Sequence, residues 1–513
     1  MLLRTGFDAI FFTDKQLSWL LIFLFYIPLK QFIANSKRTF IYNFLLIILL
    51  FFSFQQAVLG LLQLWGILVS NHNLFKVTGS FHNPGPYSVY LACFLPLSVQ
   101  LILEKKTQTL SQQILYYTAY SSAIATVLIL PVTESRSAWL GALLGTSWVL
   151  CIHFQVFVFL KGVFSNAFYK LIAIVIVLFL SLGAIYFLYN FKKASAFGRL
   201  VNWKIEANMF IDAPFFGHGV NSFQRKFGHY QAQYFAQHRL PDEIMVAGKT
   251  EYAFNDFFQI ALEYGFIGLV LYLLMLFYVF KNAKTTSLFL GGIIAFLISS
   301  FTSYPMECLP ILLLFMVFMA FEDAQRADLK SLKRFKPNIR LCVSVLLASL
   351  VFLCFYNYQS LRFYSLVQKG MVAFQDEDHE ATIHHLSKAY PIRQNDANML
   401  LHFAKSKAIL NDNVSALKLY QQSLPLAAEQ YQYTNMGLCY QALKQNDLAE
   451  KSFKYATCLN PNFMYPHFLL MKLYLSVNNK QKAKNEAQTI LQMPVKVVSE
   501  ATNEMQKEAK GVM

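Results

Sequence analysis

GRLVNWKIEANMFIDAPFFGHG occupies residues 198–219, and EYAFNDFFQIALEYGFIG occupies residues 251–268. Between them they delimit the one long polar interval in the otherwise hydrophobic first two-thirds of the sequence. Lipid-facing helices alone do not make an active site. Chemistry on a water-soluble group is therefore expected in this interval.

The composition is that of a membrane protein. Of 513 residues, 56% are hydrophobic, 16% are aromatic and only 14% are charged, which is more apolar than a soluble globular domain. The formal net charge of +16 lies mostly in short loops and at the ends of hydrophobic segments. This pattern favours orientation in a membrane and contact with phosphate-bearing lipids, and it argues against a nucleic-acid partner.

Hydrophobic segments of about 20 residues predict membrane-spanning helices. The sequence contains ten such segments and therefore predicts an all-α, polytopic helix bundle. The segments are 17–34, 41–66, 84–103, 112–131, 137–160, 168–190, 254–280, 286–303, 306–321 and 340–358.

The basic residues predict the orientation of these spans, because cytoplasmic loops are enriched in lysine and arginine. Every second connection carries such residues, so all of these connections can be cytoplasmic at once. The N-terminus, the 191–252 loop and the tail after the last span are then predicted to lie outside. The basic connections hold Lys30, Lys37, Arg38, Lys105, Lys106, Lys161, Lys170, Lys281, Lys284, Arg326, Lys330, Lys333, Arg334, Lys336 and Arg340.

The tail becomes charged and amphipathic near Leu361, which predicts a membrane domain over 1–360 and a second domain over 361–513. Alanines recur in it at spacings of 35, 33 and 34, each after a polar turn: Ala381, Ala416, Ala449 and Ala483. The period resembles the tetratricopeptide repeat, a helix–turn–helix unit that buries its apolar face by stacking on its neighbours. A solenoid with a concave surface for a protein partner or an acceptor is predicted.

Two features of the tail suggest chemistry but have simpler explanations. The Asp376-Glu-Asp378 triplet has the form of a metal-binding motif, yet it falls in the turn of the first repeat. Cys439 and Cys458 either form a disulfide in an oxidising compartment or stay free, since the sequence does not supply the geometry. Neither a metal nor a cofactor is expected.

The polar interval has the charge expected for binding an anionic headgroup. Residues 191–252 carry eight basic side chains against five acidic ones, and guanidinium groups bind phosphate oxygens in a bidentate manner. Arg199 opens a predicted amphipathic helix that Trp203 would anchor at the membrane interface and that ends before Pro214. The FGHG sequence, with Gly217 and Gly219, then predicts a tight turn.

Ionisable residues at the predicted outer ends of the spans are candidates for function. Arg136 follows Glu134 at the start of one span, and the simpler alternative is that the two form an ion pair near the membrane surface. Glu263 and Glu307 lie in hydrophobic segments and raise the same question.

Four motifs together resemble the O-antigen ligase and polymerase superfamily, whose members often carry C-terminal tetratricopeptide repeats. The resemblance covers about residues 75–320 and rests on order and spacing. The motifs are GSFHNPGPYSVYL (79–91, with Asn83), TESRSAWLG (133–141), GRLVNWKIEANMFIDAPFFGHGVNSF (198–223) and FNDFFQIALEYGFIG (254–268).

The resemblance implies a metal-independent glycosyltransferase of the polytopic GT-C type in a bacterial inner membrane. It implies transfer of a glycan from undecaprenyl diphosphate to a hydroxyl at the periplasmic face. The acceptor is lipid A core, another glycan, or a protein serine or threonine. Arg136 and Arg199 would hold the diphosphate and stabilise the charge of the leaving group.

One position departs from the family pattern, in which His, then Asn, Ser or Gln, precedes GxxG by nine residues. Asn255, Gly265 and Gly268 fit this pattern, but Phe254 occupies the histidine position and cannot accept a proton. Three alternatives follow: another group acts as the base, departure of the diphosphate suffices, or the chain is not catalytic. The nearby candidate bases are Glu251, His218 and Tyr252.

A function of another class is therefore also compatible with the sequence. A non-catalytic scaffold, or a subunit that binds lipid-linked glycan, would use the repeats to assemble a complex in the cell envelope.

Overall fold

The computed structural model describes residues 14–36, 40–156, 191–326, 358–495 and 498–513, with isolated positions between 158 and 190. All regular secondary structure in this described part is helical, which confirms the predicted fold class. The chain divides into two compact units. The membrane unit comprises Met1–Lys193, Ala213–Val220 and Tyr252–Lys336, and the repeat unit comprises Ala194–Asp212, Asn221–Glu251 and Pro337–Met513.

With the exception of the segment at 254–280, the helices of the membrane unit correspond to the predicted spans wherever the structure describes them. They are Asp14–Ser36, Phe40–Leu64, Pro84–Glu104, Leu110–Ile129, Arg136–His153, Asp256–Asn282, Leu290–Ser300 and Leu309–Arg326, with short 3-10 turns at Pro131–Thr133 and Pro305–Glu307.

Four described segments are long and apolar enough to cross a membrane: Phe40–Leu64, Pro84–Glu104, Leu110–Thr133 and Asp256–Lys281. The predicted span at 168–190 falls largely outside the described residues, and the span at 340–358 falls outside them except for its last residue.

Among the described helices of the membrane unit, the first, Asp14–Ser36, runs parallel to the last, Leu309–Arg326. Lys15 Nζ lies 2.6 Å from a Glu307 carboxylate oxygen just before the last helix begins, and Lys30 Nζ lies 2.8 Å from Asp323 near its end. The two lysines are 15 residues apart and the two acidic residues are 16 residues apart. The two ion pairs therefore fix the register of the helices at both ends.

Several connections that the charge pattern predicted to share one side meet at one end of the bundle. Asn43 donates a hydrogen bond to Ser111 at 3.2 Å, and the Ser287 hydroxyl bonds a Glu322 carboxylate oxygen. Gln325 donates to the Tyr42 hydroxyl at 3.5 Å and so joins the two pairs. This common end agrees with the prediction that every second connection lies on the same side. Which membrane face this end meets stays a prediction.

Small residues let two helices of the bundle approach closely. A Cβ added to Gly141 would lie 2.6 Å from the Ala295 carbonyl oxygen, and one added to Gly145 would overlap the Gly291 carbonyl. Helices Arg136–His153 and Leu290–Ser300 therefore pack backbone against backbone, as small-xxx-small patterns allow in membranes.

The hydrophobic segment predicted as one span at 254–280 is broken, which corrects that prediction. Gly265 has φ 71° and ψ −173°, outside helical geometry. The Phe257 and Tyr272 ring centroids are 5.8 Å apart, although fifteen residues of straight helix would separate them by about 22 Å. The chain therefore folds back at Gly265, and two helices replace the single span.

The repeat unit consists of helices from the 191–252 loop and from the tail. The loop contributes Lys193–Asp212, which starts at the unit boundary, Ser222–Gln237 and Pro241–Val246. The tail contributes a helical stretch at 358–375 and then His379–Ala389, Ala397–Ile409, Asn413–Ser423, Gln430–Ala442, Asn446–Leu459, Met464–Ser476, Lys480–Gln492 and Glu500–Val512.

The tail helices repeat with the predicted period. A residue with left-handed φ precedes the second helix of each hairpin, at Glu377, Asn411, Lys444 and Asn478. Ala416, Ala449 and Ala483 are fully buried, as close helix packing requires. Asp378 caps its helix by accepting a hydrogen bond from the Ala381 N–H, so the acidic triplet serves the turn.

Much of the 191–252 loop packs against the repeats. Asn462 donates hydrogen bonds to the Ala247 carbonyl at 2.6 Å and the Ile244 carbonyl at 3.2 Å, and His229 Nδ1 lies 2.6 Å from the Tyr455 hydroxyl. The predicted domain boundary at 360 stays a prediction, since residues 327–357 are outside the described part.

The two tail cysteines do not form the disulfide that the sequence left open. Cys439 is a buried free thiol, and Cys458 is a half-buried free thiol. The Arg239 guanidinium lies 3.6 Å from the Cys458 sulfur.

Candidate functional site

Two of the motifs join as a backbone clasp, which we define as residues 213–219 together with 262–267. The His218 and Gly219 N–H groups donate to the Leu262 and Glu263 carbonyls at 2.8 and 2.9 Å. In return, the Phe266 N–H donates to the Pro214 carbonyl at 2.7 Å. The break in the helix at Gly265 exposes backbone groups, and the turn satisfies them.

Glycine is required on both sides of the clasp because the two backbones touch. Gly217 has φ 65°, and a Cβ added to it would lie 2.5 Å from the Glu263 carbonyl carbon and the Gly265 nitrogen. A Cβ on Gly265 would overlap the Phe215 carbonyl. A Cβ added to Gly268 would lie 2.3 Å from the Cβ of Tyr264, just before the break. The spacing of the motif glycines thus has a steric cause.

Phe254 occupies a strained backbone position two residues before the helix that begins at Asp256. Its φ is 51°, which is rare for a bulky residue, and its ring packs edge-on against Tyr304 with centroids 5.3 Å apart. Asn255 follows as the cap of the next helix, with its side chain accepting the Phe258 N–H at 3.0 Å. Asn255 therefore has a structural role that the motif alone did not reveal.

An ionic network lies where the first helix meets the clasp. Lys15 Nζ is 2.9 Å from one Glu263 carboxylate oxygen and 3.1 Å from the other, and it is 2.6 Å from Glu307. Gln259 also donates to Glu263, at 3.2 Å. The neighbouring Asp256 is buried and accepts the Met306 N–H at 3.2 Å. Neither Lys15 nor Gln259 was a candidate from sequence, because no local motif marks them.

The Asn83 and Arg136 motifs form two helix starts in the membrane unit. Asn83 caps helix Pro84–Glu104 through a 2.8 Å bond from the Gly85 N–H. Arg136 is the first residue of its helix and is half-buried. The Glu134 carboxylate lies 2.9 Å from Lys192 Nζ.

Arg199 and Trp203 lie half-buried on helix Lys193–Asp212. The helix has two apolar faces. One is buried in the repeat unit through Val201, Ile205 and Met209. The predicted interfacial face includes the exposed Leu200 and Ile211. Its docking on a membrane stays a prediction.

Two acids on the loop helices were missed from sequence. Burial would raise the pKa of Glu243, but hydrogen bonds from Lys204 at 2.6 Å and Tyr234 at 2.8 Å outweigh it and hold that pKa below its ordinary value. Glu206 is fully buried, and neither of its carboxylate oxygens accepts a hydrogen bond from the described residues. Burial raises the pKa of Glu206 well above its ordinary value.

The three candidate bases lie in different settings. Glu251 is exposed in the repeat unit, 3.3 Å from Lys249 Nζ. His218 is part of the clasp and is half-buried. Tyr252 stacks on Tyr304 with ring centroids 4.3 Å apart. Tyr252 belongs to the same aromatic group as Phe254, because both rings pack against Tyr304.

No group of three potential metal ligands among His, Cys, Asp and Glu occurs in the part of the chain that the structure describes.

Residues 121–273 match the family model described as O-Antigen ligase. The matched range includes Arg136, Arg199, the clasp and Phe254, whereas the Asn83 motif precedes it. The comparison with curated proteins gave no match.

Among solved structures, the chain is similar to a crystal structure of MamA protein, with 14% identity, 29% of this chain and 87% of that chain covered, and a TM-score of 0.25. It is also similar to a tetratricopeptide repeat protein from Parabacteroides merdae ATCC 43184, with 16% identity, 29% of this chain and 61% of that chain covered, and a TM-score of 0.25.

Proposed function

We propose that this protein transfers a glycan from undecaprenyl diphosphate to an acceptor hydroxyl at the periplasmic face of a bacterial inner membrane. The observation that carries the proposal is the O-antigen ligase match over residues 121–273, which contains both arginines and the clasp. The apolar helices of the membrane unit are consistent with a lipid-linked donor.

In this proposal Arg136 and Arg199 bind the diphosphate of the donor. Guanidinium groups form paired, charge-assisted hydrogen bonds with phosphate oxygens. They are always charged, so they can stabilise the negative charge that grows on the leaving diphosphate without a metal ion. Preorganised cations of this kind contribute most where the charge develops in the transition state.

The acceptor hydroxyl attacks the anomeric carbon as the diphosphate departs, assisted by a general base. Lipid A core, a second glycan and a protein serine or threonine remain the candidate acceptors. The repeat unit is the proposed surface for binding the acceptor or a protein partner, since helical repeat arrays present extended binding surfaces.

The direct test uses the purified full-length protein in lipid nanodiscs with undecaprenyl-diphosphate glycan and each acceptor class. Arg136→Ala and Arg199→Ala are each expected to lower transfer by about 10²–10³-fold, the usual effect of removing one charge-stabilising group. Arg225→Ala changes a loop arginine outside the motifs and serves as the matched control. Full transfer by both motif variants would refute the assignment of the arginines.

A scaffold function is the second candidate, and Phe254 is the observation in its favour. The residue at the family histidine position carries no proton acceptor, and its ring is packed against Tyr304. Mass analysis of envelope glycans from a deletion strain separates the two functions. A transferase predicts accumulation of lipid-linked glycan together with an unmodified acceptor, whereas a scaffold predicts loss of a complex with transfer chemistry intact.

A further inference from the structure

An ion pair through one oxygen holds the Glu307 carboxylate in position, and the other oxygen is available to accept a hydrogen bond. Its Oε1 lies 2.6 Å from Lys15 Nζ, while Oε2 makes no hydrogen bond with the described residues. The side chain is 11% exposed, so it is not sealed in the core. Glu263 differs, since both of its oxygens bind Lys15, Oε1 also binds Gln259, and its side chain is 1% exposed.

The net charge of this network allows it to bind one proton. Two carboxylates, Glu263 and Glu307, share the single ammonium of Lys15, so the three groups carry one uncompensated negative charge when both acids are ionised. Protonation of one carboxylate balances the network. The other ionisable groups that interact electrostatically with Glu307 or its partners are Asp256, Tyr264 and Cys308.

The network also adjoins the position of the missing histidine. Glu307 ends the turn Pro305–Glu307, and its N–H donates to the Tyr304 carbonyl at 3.1 Å. The Tyr304 ring in turn packs against Phe254 and stacks on Tyr252. These rings are partly exposed, and aromatic surfaces beside a few fixed polar groups are typical of ligand sites.

The geometry points to Glu307 as the proton acceptor for the attacking hydroxyl, with Lys15 and Glu263 as positioning residues. This inference rests on the proposed glycan transfer. The hydroxyl oxygen forms a bond to the anomeric carbon, and the bond from that carbon to the diphosphate oxygen breaks with its electron pair leaving on the diphosphate. The hydroxyl proton passes to Glu307 Oε2 and then to water.

The experiment measures transfer from undecaprenyl-diphosphate glycan by the full-length protein in nanodiscs, over a range of pH, with donor binding measured separately. Glu307→Gln is expected to lower transfer by about 10²–10⁴-fold, the usual contribution of a general base. It is also expected to abolish the fall in rate at acidic pH and to leave donor binding unchanged. Asp323→Asn removes the matched ion pair with Lys30 between the same two helices and is expected to retain wild-type transfer.

A second variant keeps the test decisive if Glu307→Gln fails to fold. Glu307→Asp retains the charge but draws the carboxylate back by one methylene, so transfer at least about 10-fold slower is expected from a misplaced base. Wild-type transfer by either variant, or an unchanged acidic limb in Glu307→Gln, would overturn the inference while leaving the arginine assignment intact. An inactive wild-type protein with every acceptor class would overturn the proposed function, and this inference with it.

Discussion

At the residue scale, Gly265 is the position where one side chain decides the local structure. Its φ of 71° disfavours an L-residue, and a Cβ would overlap the Phe215 carbonyl. We expect Gly265→Ala to lower the free energy of unfolding of the membrane unit by about 3 kcal/mol, combining left-handed strain with overpacking. Thermal unfolding in detergent measures the change.

Gly219→Ala provides the matched control for this prediction. Gly219 also has positive φ, 98°, but nothing lies within 4 Å of its Cβ position. Gly219→Ala should therefore destabilise the membrane unit only through backbone strain, by about 1 kcal/mol. Equal effects of the two substitutions would show that contact across the clasp contributes nothing.

Glu450 links two repeats and makes the repeat unit sensitive to acid. Burial would raise its pKa, but hydrogen bonds from Lys454, Tyr474 and Lys482 hold that pKa at about 2, below the ordinary 4.5. A depressed carboxylate pKa stabilises the fold above the ordinary pKa, and this stability is lost as pH falls from about 4.5 towards 2.

We expect Glu450→Gln to destabilise the repeat unit by about 1 kcal/mol at pH 7, a value reduced by solvent screening of the exposed lysines. The difference from wild type should shrink between pH 4.5 and 2, where the wild-type carboxyl becomes protonated. Chemical denaturation at several pH values measures it. A difference that is constant with pH would contradict the role of the charge.

At the element scale, the sequence predicts where the described helices are better than how they are arranged. Hydropathy located helices wherever the structure describes the predicted spans, because apolar length is a local property. It merged the two helices around Gly265, because a composition window does not register a reversal of direction. By length and composition alone, the Asp256–Lys281 segment is still long and apolar enough to cross a membrane.

The residues of the candidate site also fall into two groups, those that the sequence predicts and those that only the folded structure brings together. Asn83, Arg136, Arg199 and the glycines of the clasp belong to contiguous motifs and could be named from the sequence. Lys15 meets Glu307 across 292 positions, and only packing of the first helix on the last joins them. Glu206 resembles a polar residue of a surface helix until its burial is known.

Close packing of two helices gives the prediction at this scale. Gly145 lies where helix Arg136–His153 meets the Gly291 backbone. Gly145→Leu should force the helices apart and destabilise the membrane unit by about 2–3 kcal/mol, the usual effect of overpacking. Leu144→Ile changes the neighbouring exposed residue and should have little effect. Equal melting temperatures for the two variants would exclude a packing role for Gly145.

At the scale of the whole molecule, the repeats bind a segment of their own chain. Asn462 donates to two loop carbonyls, and Lys249 lies 2.8 Å from a Glu429 carboxylate oxygen. Gly228 approaches so closely that an added Cβ would lie 2.5 Å from the Ala428 carbonyl oxygen. The tail therefore supports the same compact unit that contains Arg199.

This arrangement changes what removal of the tail should do. An independent binding domain could be deleted with some transfer to simple acceptors retained. Because the loop helices fold with the repeats, deletion of 361–513 should instead leave the loop unsupported and lower transfer to every acceptor. Phe223, Phe227 and Phe235, which are buried in the repeat unit, would lose part of their cover.

Limited trypsin digestion tests this coupling directly, since Arg225, Lys226, Arg239 and Lys249 are cleavage sites within the loop. The truncated protein should be cut there at least about 10-fold faster than the full chain, because cleavage tracks the population of the open form. Asn462→Ala, which removes two hydrogen bonds to the loop, should give a smaller increase in the same direction. Asn485→Ala, on an exposed repeat surface, should leave the cleavage rate unchanged. Protection of the loop in the truncated protein would show that it folds without the repeats, and the tail would then act on partners alone.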